Sequence, residues 1–125
     1  LHGPSNTYRQ DGLLWMEANY KNGQLHGPFT AYFDNGAVEN KTEYINGRLH
    51  GPYVAYNRHG IVVEEGKFNR GKKQGTYRIF HETGFPSRVE NYRQGKLVSC
   101  TEFDESGNAV SRCGPGREDV PEGRT

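Results

Sequence analysis

Three sets of side chains in this 125-residue chain carry the chemistry a site would need. Cys100 and Cys113 are its two cysteines. They lack the Cys-x-x-Cys spacing of a redox-active pair, which leaves a structural disulfide or two free thiols. His2, His26 and His50 recur at intervals of 24 residues and invite a metal reading. Glu64-Glu65, and Glu102 with Asp104-Glu105, set carboxylates side by side, as acid–base chemistry requires. No nucleophile-elbow motif and no phosphate-cradling loop accompanies them.

What these groups can do depends on the elements that carry them, and the interval of 24 residues organises those. Leu49-His50-Gly51-Pro52-Tyr53-Val54-Ala55-Tyr56 repeats Leu25-His26-Gly27-Pro28-Phe29-Thr30-Ala31-Tyr32. Leu1-His2-Gly3-Pro4 lies one period earlier, and a decayed copy, Lys73 to Phe80, one period later. A strict period of this length marks a repeat array. The units are 1–24, 25–48, 49–72 and 73–96, with a shortened capping unit at 97–113 and a disordered tail or linker expected at 114–125.

Glycine columns punctuate every unit. Asn22-Gly23, Asn46-Gly47 and Asn35-Gly36 are hairpin signals of the type I′ kind, where both central residues need positive φ. Turns therefore alternate about every dozen residues, and the segments between them are rich in Tyr, Phe, Val and Thr. No segment has helical periodicity. The fold expected is all-β: a single-layer meander of antiparallel hairpins, about ten strands and about 45–50 Å long.

A two-residue turn at Asn46-Gly47 pairs Tyr44 with Leu49, and the same count pairs Tyr20 with Leu25 and Tyr92 with Leu97. Only Phe68 meets a cation, Lys73. Alternation then gives an inward face that includes Leu49, Tyr53, Ala55, Gly66 and Phe68. Tyr8, Tyr32, Tyr56 and Phe80 fall on the polar face, unless a bulge near the turns moves them inward.

With that register the candidate groups can be placed. If Ser106-Gly107 is a two-residue turn, Cys100 and Cys113 stand directly opposite at a disulfide-compatible distance. A bridge there would put the chain in the periplasm, on the cell surface or outside the cell; free thiols would fit the cytoplasm. The histidines sit one per repeat, two strand spacings or about 10 Å apart, too far to share a metal. A repeated packing or hydrogen-bonding role is expected for them, with no metal site. Adjacent carboxylates point to opposite faces, as solvated charges do.

Composition bounds the rest. The apolar fraction is 32% and mean hydropathy is −0.96, so a thick core is excluded. Eight Tyr, six Phe, one Trp and 17 Gly suit short strands and tight turns. A net charge of +1 supplies no global field toward nucleic acid or membrane. No stretch is long enough to span a bilayer as a helix. The chain begins inside a repeat motif without Met, as a fragment or processed form would. Locally, residues 67–96 are basic: Lys72, Lys73 and Arg78, interleaved with Tyr77, Phe80 and Tyr92, could meet an acidic partner or lipid headgroups, or only solvate a thin sheet.

The pattern Gly-Pro-aromatic, then Tyr and Asn-Gly, then a strand closing on Tyr-x-Asn-Gly, resembles the variant MORN repeat and is similar to the bacterial YwqK-type proteins, described as antitoxins. The resemblance covers residues 1 to about 110. It implies a scaffold of β-hairpins that binds protein or lipid. The expected function is a non-catalytic binding scaffold with no cofactor, contacting a protein partner through Tyr32, Tyr56 and Phe80, flanked by His26 and His50, with Lys72, Lys73 and Arg78 nearby. Two alternatives stand beside it: a cytosolic antitoxin that neutralises a toxin, and a repeat region detached from a larger enzyme.

Overall fold

Four two-residue turns set the register. Asn22-Gly23, Asn46-Gly47, Arg70-Gly71 and Gln94-Gly95 have φ of 53° and 82°, 50° and 82°, 52° and 83°, and 53° and 82°. Positive φ at both residues defines type I′, whose twist matches that of the strands it joins. The computed structural model describes residues 2–113. The tail expected at 114–125 lies outside them.

The strands are β1 (Gly3–Tyr8), β2 (Leu14–Lys21), β3 (Gln24–Leu25), β4 (Gly27–Tyr32), β5 (Val38–Ile45), β6 (Arg48–Leu49), β7 (Gly51–Tyr56), β8 (Val62–Asn69), β9 (Lys72–Lys73), β10 (Gly75–Phe80), β11 (Pro86–Arg93), β12 (Lys96–Phe103) and β13 (Ala109–Cys113). They form one antiparallel sheet in meander order, β1-β2-β4-β5-β7-β8-β10-β11-β12-β13. The short strands β3, β6 and β9 pair with β2, β5 and β8 beside this path. The path thus has ten strands, and three of its returning strands start in a separate two-residue piece. Among the described residues there is no helix. The expected pairs form: Tyr20 with Leu25, Tyr44 with Leu49, Phe68 with Lys73 and Tyr92 with Leu97.

The break in these three returning strands is not signalled by the turn spacing. From Tyr20 to Glu17 the outgoing strand advances three residues, while its partner advances five, from Leu25 to Thr30. The surplus is absorbed at His26 and Gly27, where Gly27 has φ of 105°. Gly51 repeats this geometry in the next unit with φ of 97°. Two extra residues preserve the alternation of faces, so the inward face continues across the break.

The other row of turns differs from expectation. Gly36 has φ of 87°, yet Asn35 is not among the residues with positive φ, so Asn35-Gly36 is not a type I′ turn. Gly36 N–H donates to Phe33 O, and Phe33 N–H to Ala37 O. This is a three-residue loop in which a type I turn ends on a left-handed glycine. Ser106-Gly107 is corrected the same way: Gly107 N–H donates to Asp104 O and Asp104 N–H to Asn108 O. The longer loop would shift the strands by one residue. A bulge between Glu102 and Phe103 shifts them back, so Cys100 still faces Cys113.

Burial confirms one inward face. Ala18, Ala31, Thr42, Tyr77, Glu90 and Cys100 are buried. The pairs Met16–Ala31, Phe29–Thr42, Tyr77–Glu90 and Glu90–Cys100 put them all on the same side. Aromatic edges meet there: Phe29 with Tyr44 at 5.5 Å between centroids, Tyr53 with Phe68 at 5.8 Å and Phe68 with Tyr77 at 6.1 Å. Such contacts stabilise a thin sheet by about 0.5–1.5 kcal/mol each beyond area burial.

Candidate binding surface

The repeat puts its loops on two opposite edges of the sheet, and the charges divide between them. The type I′ edge carries Lys21, Arg48, Arg70, Lys72, Arg93 and Lys96. The three-residue loops of the other edge carry Asp11, Asp34, Glu82, Asp104 and Glu105, with Arg9 and Arg58. Arg58 pairs with Asp34 there, and the guanidinium beside it holds the Asp34 carboxyl below the usual carboxylate range. Whole-chain neutrality therefore hides a basic edge and a mainly acidic one.

Three of the four type I′ turns are bonded to the strand that leaves the type I′ turn before them, within the same 24-residue unit. Gly47 N–H donates to Leu25 O at 2.8 Å, Gly71 to Leu49 O at 2.7 Å and Gly95 to Lys73 O at 3.1 Å. The histidine column completes the joint. The backbone N–H of Asn22, Asn46 and Arg70 donates to Nδ1 of His2, His26 and His50 at 3.3–3.4 Å. Each imidazole thus serves a different turn.

The residue after the turn glycine lies over the next turn. A Cβ at Gly47 would meet the side chain of Gln24 at 3.8 Å, one at Gly71 the Cβ of Arg48 at 3.9 Å, and one at Gly95 the stem of Lys72 at 3.0 Å. Gln24, Arg48 and Lys72 are thereby aligned along the edge, and Lys96 occupies the same position in the last turn. Between Arg48 and Lys96 these stems wall an open groove of about 870 Å³, lined also by Arg70, Lys73, Tyr92 and Arg93. Lys73 forms its inner wall, with Nζ 4.1 Å from the Tyr77 ring centroid, 5.1 Å from that of Tyr92 and 3.9 Å from the Glu90 carboxylate. Glu90 is buried and satisfied: Arg88 Nε donates to it at 2.6 Å and the Tyr92 hydroxyl at 2.9 Å.

The residues expected to bind do not converge. Lys72 and Lys73 meet in the groove. Arg78 lies on the outer face against Glu65 at 3.6 Å. Tyr32 stays on the outer face despite the bulge beside it, because its hydroxyl donates to Glu17, and that bond holds the phenol above its ordinary pKa. Tyr56 and Phe80 are half-buried in the equivalent positions. The aromatic rings in contact are inward ones, in two groups, Phe29 with Tyr44 and Tyr53 with Phe68 and Tyr77. Arg48 was missed, although the column Gln24, Arg48, Lys72, Lys96 is visible in the sequence once the turns are placed.

At the far end of the sheet Cys100 and Cys113 form a disulfide, with Cα atoms 4.8 Å apart. Among the described residues no three His, Cys, Asp or Glu side chains gather around a common point. No helix there is long and apolar enough to cross a membrane.

Comparison with known proteins adds one family. Residues 25–46 match the MORN repeat variant. No curated protein matches the chain. Among solved structures, the sheet is similar to part of an S. aureus TarM mutant in complex with fondaparinux, alpha-GlcNAc-glycerol and UDP, at 11% identity and a TM-score of 0.37. That alignment covers 86% of this chain and 19% of the TarM chain, and a likeness at this score carries nothing over. The hairpin at 25–46 is similar to the variant MORN repeat, and it sits in a sheet built of units with the same period.

Proposed function

We propose that this chain is a non-catalytic scaffold that binds a partner protein along its type I′ edge. The observation that carries the reading is the joint between successive type I′ turns. The bonds from Gly47, Gly71 and Gly95 to Leu25, Leu49 and Lys73 hold successive turns in one line and present their side chains at a fixed pitch. A surface ordered before contact loses little entropy on binding. MORN repeats are in general associated with binding and scaffolding, which supports the same reading.

The disulfide supports an oxidising compartment, so we place the scaffold outside the cytoplasm. An intact mass after alkylation without reduction tests this: no added alkyl group is expected, and two alkylated cysteines would return the chain to the cytoplasm and revive the antitoxin reading.

The binding claim is tested by capturing partners from the native host with three forms of the chain. The wild type and a Lys41→Glu/Lys67→Glu variant, altered on the outer face, should hold the same protein in equal amount. Lys72→Glu/Lys96→Glu should lose it. Equal capture by all three forms contradicts the assigned edge, and no specific capture by any contradicts the scaffold.

A further inference from the structure

The repeats serve as one another's controls, and their departures gather at one place. The first residue of the type I′ turn is Asn22 and Asn46 in the first two units, then Arg70 and Gln94. All four hold φ between 50° and 53°. Asn tolerates that region, whereas Arg and Gln occupy it at a cost. The inward residue after the turn is Leu25, Leu49 and Leu97, but Lys73 in the unit between. The residue flanking the turn glycine is Gln24 in the first unit and then Arg48, Lys72 and Lys96. The groove therefore collects three kinds of departure, most of them to a cation, and one of them works against its own turn. Sites where a local rule is broken at a structural cost are where function is to be sought.

The cations are unpaired. Arg48, Arg70, Lys72, Arg93 and Lys96 are exposed, and among the described residues none has a carboxylate oxygen within 4.0 Å. Gathering them costs mutual repulsion, which an anionic ligand relieves.

The pitch selects the ligand. One repeat step crosses two strands, about 9–10 Å. An extended polyproline-type chain rises about 3.1 Å per residue and returns to the same side every third residue, about 9 Å. A carboxylate at every third position would thus meet Arg48, Lys72 and Lys96 in turn. A flat membrane fits less well: among the described residues, of the exposed large apolar side chains, Ile45 directly flanks one of these turns and Val98 lies three residues beyond another, whereas Leu13, Ile61 and Phe85 lie on the opposite edge. We infer that the groove between Arg48 and Lys96 takes an extended, carboxylate-rich segment of the partner protein, its acidic residues spaced three apart. This inference rests on the scaffold reading and supplies its partner chemistry.

The test uses the disulfide-bonded chain and a fluorescent peptide of six Asp-Pro-Pro triplets, read by anisotropy. The decisive variant is Arg70→Asn/Lys72→Gln, which gives the third turn the residues of the first. It is expected to melt at the same temperature or higher and to bind the peptide about tenfold more weakly or worse. Loss of folding cannot produce that combination. Unchanged affinity in the variant overturns the inference, as does equal binding of a Lys-Pro-Pro peptide. Binding of phosphatidylglycerol vesicles without binding of the peptide overturns it in favour of a membrane. If the peptide fails while the native partner is still captured through Lys72 and Lys96, only the partner chemistry falls and the scaffold stands.

Discussion

Gly47 donates its backbone N–H to the carbonyl of Leu25 at 2.8 Å, and through that bond one type I′ turn hangs on the strand that leaves the type I′ turn before it. Gly47 has φ of 82°, a conformation that a β-branched residue avoids. Gly47→Val should therefore lower stability by about 1–3 kcal/mol, or roughly 5–15 °C in melting temperature. Glu43→Val, exposed on a nearby strand, should shift it by less than about 3 °C. Thermal melts of the two variants check the register; equal losses would refute it.

Gly66 is required for a different reason. Its backbone is extended, but a Cβ there would sit 2.1 Å from the ring of Tyr77. The buried aromatic fills the space the glycine leaves. Gly66→Ala is expected to cost about 2 kcal/mol or more in urea denaturation. Adding Tyr77→Leu to it should cost less than the two single changes summed, because each removes the reason for the other.

Alkaline pH should weaken the sheet. Burial raises the pKa of Tyr77 most strongly, with its hydrogen bond to Glu64 adding to the effect, and burial also raises Tyr44, Tyr53 and Tyr92. An unfolded tyrosine titrates near about 10. A folded-state pKa above that contributes stability that is fully present below about pH 10 and is lost as the pH rises toward the folded value. Urea titrations should show constant stability from neutral pH to about 9 and a steep fall above about 10. In Tyr77→Phe the fall should be shallower, while stability at neutral pH drops by about 1 kcal/mol through loss of the Glu64 bond. An unchanged alkaline slope in that variant would contradict the assignment.

Reduction of Cys100–Cys113 should destabilise the last hairpin by about 2–4 kcal/mol, since the bridge closes a loop of sequence separation 13. Melts with and without a thiol reductant check this, and hydrogen exchange should place the loosening in β12 and β13. Uniform loosening from β1 onward would argue against neighbour-to-neighbour stability.

Much of this architecture was legible because two sequence signals coincide: a turn glycine, after Asn in the first two units and after Gln in the fourth, fixes a pairing, and the same pairing places an aromatic opposite Leu25, Leu49 and Leu97. The cysteines were placed correctly through a wrong turn, because the bulge at Glu102 restores the residue that the longer loop displaces. Asn35-Gly36 misled because Asn-Gly suits both a type I′ turn and a type I turn ending on a left-handed glycine; loop length decides, and that depends on strand pairing. The break at His26-Gly27 was hidden because its cause lies at the following type I′ turn, Asn46-Gly47, which docks on Leu25 and His26. The basic edge was present as a column, but a column becomes an edge only when the turns on either side are told apart.

The measurement that tests the central claim most directly is site-specific photocross-linking in the native host. A benzophenone residue would replace Arg48, Lys72 or Lys96 on one edge, and Asp11, Asn35 or His59 on the other. The account predicts cross-links to one and the same protein from the first three positions and none from the last three. Cross-links confined to the second set, or spread evenly over both, would contradict the assignment of the type I′ edge as the binding surface.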